Sequence, residues 1–160
     1  MKRRKFIQSM FAASAVAATV TPVALMAKEE AKKAAPKGPN ALPIEAAIDA
    51  ITGGKGAKDS DKVQLTVPEI AENGAVVPVK VNVDHPMEEN NYVKSIHVLA
   101  AKNGNSRCVD VMLTPANAKA YFATRIKLSS TQEVVGLAEL SDGTFIKAAK
   151  SVKVTIGGCG

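Results

Sequence analysis

The sequence predicts an all-β protein: an antiparallel sandwich of about seven strands, with one helix before it and a slender C-terminal arm after it. Three observations predict this. Apolar residues recur with a period of two from Val63 to Ile156, the repeat of strands that bury one face. Turn-forming clusters interrupt that pattern at short intervals, at Glu72-Asn73-Gly74, Asp84-His85-Pro86, Asn103-Gly104-Asn105, Thr114-Pro115-Ala116-Asn117 and Ser141-Asp142-Gly143. Helical spacing is clear in one place, at Ile44, Ala47, Ile48 and Ile51.

Residues 1–27 read as an address rather than as structure. Lys2-Arg3-Arg4-Lys5-Phe6-Ile7-Gln8 is a twin-arginine pattern, and an Ala-rich apolar stretch runs from Met10 to Ala27, where cleavage is expected. The stretch is too short and too rich in Ala to persuade as a membrane span, which needs about 20 strongly apolar residues. An uncleaved N-terminal anchor is the alternative; no cysteine follows the run, which argues against a lipoprotein. The expectation is export to the periplasm in a folded state, with no membrane span in the mature form. Removing Lys2, Arg3, Arg4 and Lys5 from 21 basic residues leaves 17 against 15 acidic, so the net charge falls from +6 to +2. The basic balance therefore belongs mostly to the signal and gives no reason to expect nucleic acid as a partner.

Residues 28–40, charged and Ala-rich with Pro36 and Pro39, read as a solvated linker. The domain is expected over residues 41–156. Its helix spans Leu42 to Ile51, with Pro43 acceptable in the first turn and Gly53-Gly54 ending it. A phosphate-binding role for Gly53-Gly54-Lys55-Gly56 lacks both the Walker spacing and a preceding strand. The strands follow in order. Val63, Leu65 and Val67 form the first; Val77, Val79, Val81 and Val83 the second, with Pro78 marking an edge or a bulge. Ile96, Val98 and Ala100 form the third, and Val109, Val111 and Leu113 the fourth. Phe122, Ile126 and Leu128 share a face of the fifth; Gln132 to Leu140 is the sixth. Ser141-Asp142-Gly143 turns into a last strand from about Thr144 to Ile156. Seven short strands at this spacing suit an immunoglobulin-like sandwich.

Few residues invite catalysis. His85 reads as a turn residue and His97 as a strand residue facing solvent or a partner. The two histidines and two cysteines are spread too widely for a blue-copper or zinc site, so no metal is expected. No Ser-His-Asp arrangement stands out, and the acids Glu69, Glu72, Glu88 and Glu89 read as solvated loop residues. Cys108 reads as a half-buried structural thiol, placed by alternation with Asp110 and Met112; a disulfide to Cys159 is the competing reading. Two cysteines are too few for a disulfide-stapled scaffold.

The last four residues concentrate what chemistry there is. Gly157, Gly158 and Gly160 flank Cys159 with no cation or histidine nearby, so nothing local favours the thiolate. From Ile156 to Gly160 an extended chain reaches roughly 14 Å. Such a thiol is free to be oxidised, to be conjugated or to enter another protein's cavity, where any activation must come from the pocket; an incidental tail cysteine is the competing reading.

The ending Val152-Lys153-Val154-Thr155-Ile156-Gly157-Gly158-Cys159-Gly160 resembles the C-terminus of the SoxY family, the substrate carriers of the bacterial sulfur-oxidising (Sox) system. Val67-Pro68-Glu69-Ile70-Ala71-Glu72-Asn73-Gly74, Thr124-Arg125-Ile126-Lys127-Leu128 and Leu140-Ser141-Asp142-Gly143 are similar to that family as well, as is the twin-arginine signal. The resemblance implies a non-enzymatic carrier without a cofactor of its own. Cys159 is then the covalent attachment site for thiosulfate or other reduced sulfur, and Gly157, Gly158 and Gly160 are its arm. The implied partners are a SoxZ-like immunoglobulin-fold subunit, a haem-containing conjugating enzyme (SoxAX-like), a manganese-dependent hydrolase (SoxB-like) and, in some systems, a sulfur dehydrogenase. It also implies that Cys159 can pair between two copies. Cys108 is outside the family pattern. The alternative, from a different class, is a periplasmic immunoglobulin-like structural or chaperone domain dimerised by its tail cysteine.

Overall fold

The computed structural model describes residues 41–157. The signal, the linker, and the arm residues Gly158, Cys159 and Gly160 lie outside that range.

Helix α1 spans Ile44–Thr52 and is followed by strands β1 (Lys58–Asp59), β2 (Val63–Thr66), β3 (Ile70–Asn73), β4 (Val77–Val83), β5 (Val93–Ala100) and β6 (Arg107–Met112). A 3₁₀ turn at Pro115–Asn117 leads to β7 (Ala120–Ile126), β8 (Gln132–Leu140) and β9 (Phe145–Ile156). The expected helix and seven strands are all present. Two strands were not foreseen: β1 is two residues long, and β3 occupies part of the Glu72-Asn73-Gly74 turn.

The strands form two sheets. One has the order β1-β9-β8-β5-β6 with β3 also paired to β9; the other has the order β2-β4-β7. Most pairs are antiparallel, as expected, but β1 and β3 both lie parallel to β9. A strand of twelve residues outruns its neighbour: β8 covers β9 from Phe145 to Val152, and the two short strands line its other edge. Covering that edge removes a row of free backbone groups that would otherwise invite pairing with another chain.

The sandwich core is what the period of two builds. Val63 and Leu65 of β2, Val77, Val79, Val81 and Val83 of β4, and Ile126 face Ile96, Val98, Val134, Ala138 and Val152 across the sheets. Val and Ala supply most of this core, as four Phe and no Trp in the chain require. The second face of the larger sheet is also covered. Helix α1 lays Ile44, Ala47, Ile48 and Ile51 over Leu99, Val135, Leu137 and Phe145. Its start is fixed by a hydrogen bond from the Ser106 hydroxyl to the Leu42 carbonyl. Its end is a left-handed Gly53, at φ 61°, whose N–H returns to Asp49. Among the described residues no helix is long and apolar enough to cross a membrane.

Candidate functional site

The arm leaves from the end of β9, and that end is held on both sides. After Val152 the ladder with β8 stops. The Thr131 hydroxyl takes its place, accepting from Val154 N–H at 2.9 Å and donating to the Val154 carbonyl at 3.4 Å. On the opposite edge β3 runs parallel, with Ala71 opposite Val154 and Asn73 opposite Ile156. Gly74 N–H donates to the Ile156 carbonyl at 2.7 Å, and the Thr155 hydroxyl donates to the Glu72 carbonyl at 2.9 Å. The turn after β3 is itself braced, since the Asn73 side chain accepts from Ala75 N–H and the Gly74 carbonyl accepts from Leu128 N–H.

Gly157, the first glycine of the expected arm, is exposed but seated against the backbone of Ser129. A Cβ at Gly157 would fall well inside contact distance of the Ser129 carbonyl oxygen. Ser129 stands on a platform of two amide side chains. Asn103 accepts from Ser129 N–H at 3.1 Å and from the Gln132 amide at 2.9 Å, and donates to the Lys127 carbonyl at 2.7 Å. Gln132 is buried and accepts from Lys102 N–H at 2.6 Å, while the Ser129 hydroxyl donates to the Lys102 carbonyl. The platform thus joins the loop after β5 to the loop before β8, beneath the point where the arm begins. In the sequence Asn103 stands out only as a turn residue and Gln132 only as the start of a strand, and Ser129 and Thr131 not at all, because single polar residues in loops carry no periodic signal that points to a site.

The surface around this end is partly apolar. Ile156, 69% exposed, and Val76, 55% exposed, both stand at it, and Ile70 is exposed on β3. These side chains cover no core, and exposed large apolar groups beside a functional segment suit contact with another protein.

Cys108 is half-buried, as expected, but its company differs from the alternation. The register of β5 and β6 shifts between Val98 and Leu99, so the chain bulges at Cys108. Cys108 therefore packs with Val109 and Val111 against the sandwich core instead of sharing a face with Asp110 and Met112. Burial pushes its thiol up to about 11, with the Asn103 amide, 3.8 Å from Sγ, pulling weakly the other way. Such a thiol is protonated and unreactive near neutral pH. Whether it bonds to Cys159 lies outside the described residues.

His97 corrects its expected place. It is buried, 4% exposed, where a strand residue facing solvent or a partner was expected; α1 covers its neighbours Leu99 and Leu137 on that face of the sheet. Its Nδ1 lies 2.5 Å from Asp110 and its Nε2 2.8 Å from the Ser95 hydroxyl; Arg107 reaches the second oxygen of Asp110 at 2.7 Å. The connectivity is that of a Ser-His-Asp relay, although no such arrangement stands out in the sequence. Ser95, however, is 1% exposed, so no substrate reaches it. The group is a polar tie between β5 and β6, buried at Ser95 and His97 and open to solvent at Asp110. Burial alone would push the Asp110 carboxyl up, but hydrogen bonds and charge from His97 and Arg107 outweigh it and hold the group below the usual aspartate value. His85 lies in the turn after β4, as expected, with both ring nitrogens buried and unpartnered. Among the described residues no three His, Cys, Asp or Glu side chains cluster to hold a metal.

A family model described as "Sulfur oxidation protein SoxY" matches residues 48–159. Among solved structures, the sulfur carrier protein SoxY from Chlorobium limicola f thiosulfatophilum is similar at 29% identity and a TM-score of 0.61, over 71% of this chain and 96% of that one. A superoxide reductase (neelaredoxin) from Ignicoccus hospitalis is similar at 17% identity and a TM-score of 0.56, over 61% of this chain and 94% of that one. The superoxide reductase from Nanoarchaeum equitans follows at 10% identity and a TM-score of 0.51, over 59% and 98%. At those identities the likeness to the reductases is one of fold alone. No curated protein matches the chain.

Proposed function

The chain belongs to the SoxY family of sulfur oxidation proteins, and on that premise we propose that it is a covalent sulfur carrier whose attachment point is Cys159. One observation carries the reading: the family match does not stop at the folded body but runs on to residue 159, the cysteine itself. The geometry of the body supports it. β9 brings the chain to one end of the sandwich, and β3 and the Thr131 loop hold it there.

In this reading the carrier performs no catalysis. The Cys159 sulfur bonds to the outer sulfur of thiosulfate, losing a proton and giving two electrons to a haem-containing conjugating enzyme. A manganese-dependent hydrolase then releases sulfate from the adduct with water, and a sulfur dehydrogenase, where present, oxidises the sulfur left on the cysteine. A SoxZ-like subunit is the partner, and the twin-arginine signal exports the folded protein to the periplasm. Because no neighbour in sequence activates the thiol, each enzyme activates it within its own pocket.

Mass spectrometry of the tryptic peptide Val154–Gly160, taken from cells oxidising thiosulfate, tests the proposal. A reductant-labile sulfur or thiosulfonate adduct on Cys159, together with loss of thiosulfate-dependent electron transfer in Cys159→Ser, is the expected result. A plain thiol or a homodimeric disulfide as the sole form under those conditions would instead favour a structural domain dimerised by its tail.

A further inference from the structure

We propose that Gly157 is a fixed pivot belonging to the folded body, so that the reach of the carried sulfur is counted from Gly157 and not from Ile156. The inference rests on the carrier reading for its functional consequence, while its structural half stands on the end of β9 alone.

The two glycines before the cysteine look equivalent in sequence, and the structure gives the first of them, Gly157, a specific place. Backbone groups of Val154 and Ile156 are already engaged, by the Thr131 hydroxyl and by Gly74 N–H. Gly157 then meets the Ser129 carbonyl so closely that a side chain there has no room. The obstacle is backbone, so it cannot swing aside as the tip of a side chain could. Nor is Ser129 loose: its N–H donates to Asn103 and its hydroxyl donates to the Lys102 carbonyl. The φ of Gly157 lies outside the left-handed region, so glycine is required there by the close approach and not by an unusual backbone. Gly157 is thus a seat.

The consequence is a short radius of action. Two trans peptide units span at most about 7.6 Å, and the cysteine side chain adds roughly 3 Å, so the sulfur works within about 10 Å of Gly157. An enzyme whose reacting group lies deeper than that must admit the end of the sandwich itself. Ile156 and Val76, the exposed apolar residues at that end, then enter its mouth.

Nitrogen-15 relaxation on the wild-type protein tests the pivot directly. The Gly157 amide is expected to match β9, with an order parameter near 0.85. A Gly157 amide already below about 0.6 overturns the pivot, whatever becomes of the carrier reading. The functional half compares Gly157→Ala with Gly158→Ala in thiosulfate-dependent electron transfer with the partner enzymes. Displacing the seat by an ångström or more is expected to lower turnover roughly ten-fold or more in Gly157→Ala, against less than about three-fold in Gly158→Ala. The reverse order, with the residue nearer the sulfur the more sensitive, overturns the proposal in favour of a uniformly slender arm. Iodoacetamide labelling of Cys108 stays slow if Gly157→Ala is folded, which separates misplacement from unfolding; should the variant unfold, the wild-type relaxation result decides. Full turnover in Cys159→Ser would remove the carrier reading and leave the relaxation result untouched.

Discussion

Replacing Asn103 with Ala removes the keystone of the platform under the arm. Asn103 makes three good hydrogen bonds, to Ser129 N–H, the Gln132 amide and the Lys127 carbonyl. At about 1 kcal/mol each they sum to roughly 3 kcal/mol, and water regains part of this at Lys127 and Ser129. The Gln132 amide is the exception. It is buried, so losing its Asn103 partner leaves a donor without water, at about 1–3 kcal/mol. A net loss of about 2–3 kcal/mol is expected, which for a domain of this size lowers Tm by roughly 6–15 °C. Thermal and urea unfolding followed by circular dichroism measure it. Because Asn103 and Gln132 share a bond, Asn103→Ala and Gln132→Ala should be non-additive by about 1 kcal/mol in a double-mutant cycle. A loss below about 0.5 kcal/mol in Asn103→Ala, or additivity of the pair, would refute the platform as a coupled unit.

Three further outcomes follow from the same geometry. Asp110 has its carboxyl held below the usual value in the folded protein, so its contribution is present above the unfolded value of about 3.9 and is lost as pH falls through the folded value. The stability gap between wild type and Asp110→Asn, read from urea midpoints, should therefore close from pH 7 toward pH 2; a constant gap contradicts the tie to His97 and Arg107. Cys108, with its thiol at about 11, is only about 0.1% thiolate at pH 8, so iodoacetamide should label Cys159 on the order of a hundred times faster, as peptide mass spectrometry can show. Equal labelling would mean that Cys108 is not shielded. Gly136→Ala places a methyl 3.5 Å from Leu65 and Val81, an ordinary contact, and should leave stability unchanged or raise it by up to about 1 kcal/mol in the same unfolding assay. A clear loss would show that the two sheets are packed more tightly there than these distances allow.

The elements that the sequence made legible are those with long, clean periods. β4 alternates over seven residues and β8 and β9 are joined by a recognisable turn, so pattern and turn chemistry point to one answer. β1 and β3 carry no such pattern: β1 is wholly exposed and β3 buries Ala71 alone. Both exist because β9 offers a free edge, a non-local cause that no short window records. His97 was misplaced because the period shows which residues share a face but not whether a helix later covers it. Cys108 was misassigned because a one-residue bulge reverses the alternation without changing the composition. At the site, the cysteine and its glycines were legible as a motif, whereas the seat of Gly157 depends on Ser129, 28 positions upstream by sequence number, and on the amides that fix it.

The parallel pairing of β3 with β9 also bears on the order in which the protein assembles. Asn73 and Ile156 are partners across 83 positions, so the root of the arm is among the most distant contacts in the chain. Contacts of that separation carry a large loop-closure cost and tend to be made once shorter-range hairpins such as β8–β9 have formed. A nascent or partly assembled chain therefore lacks the pairing that holds the end of β9. The root of the arm is thus a late product of folding.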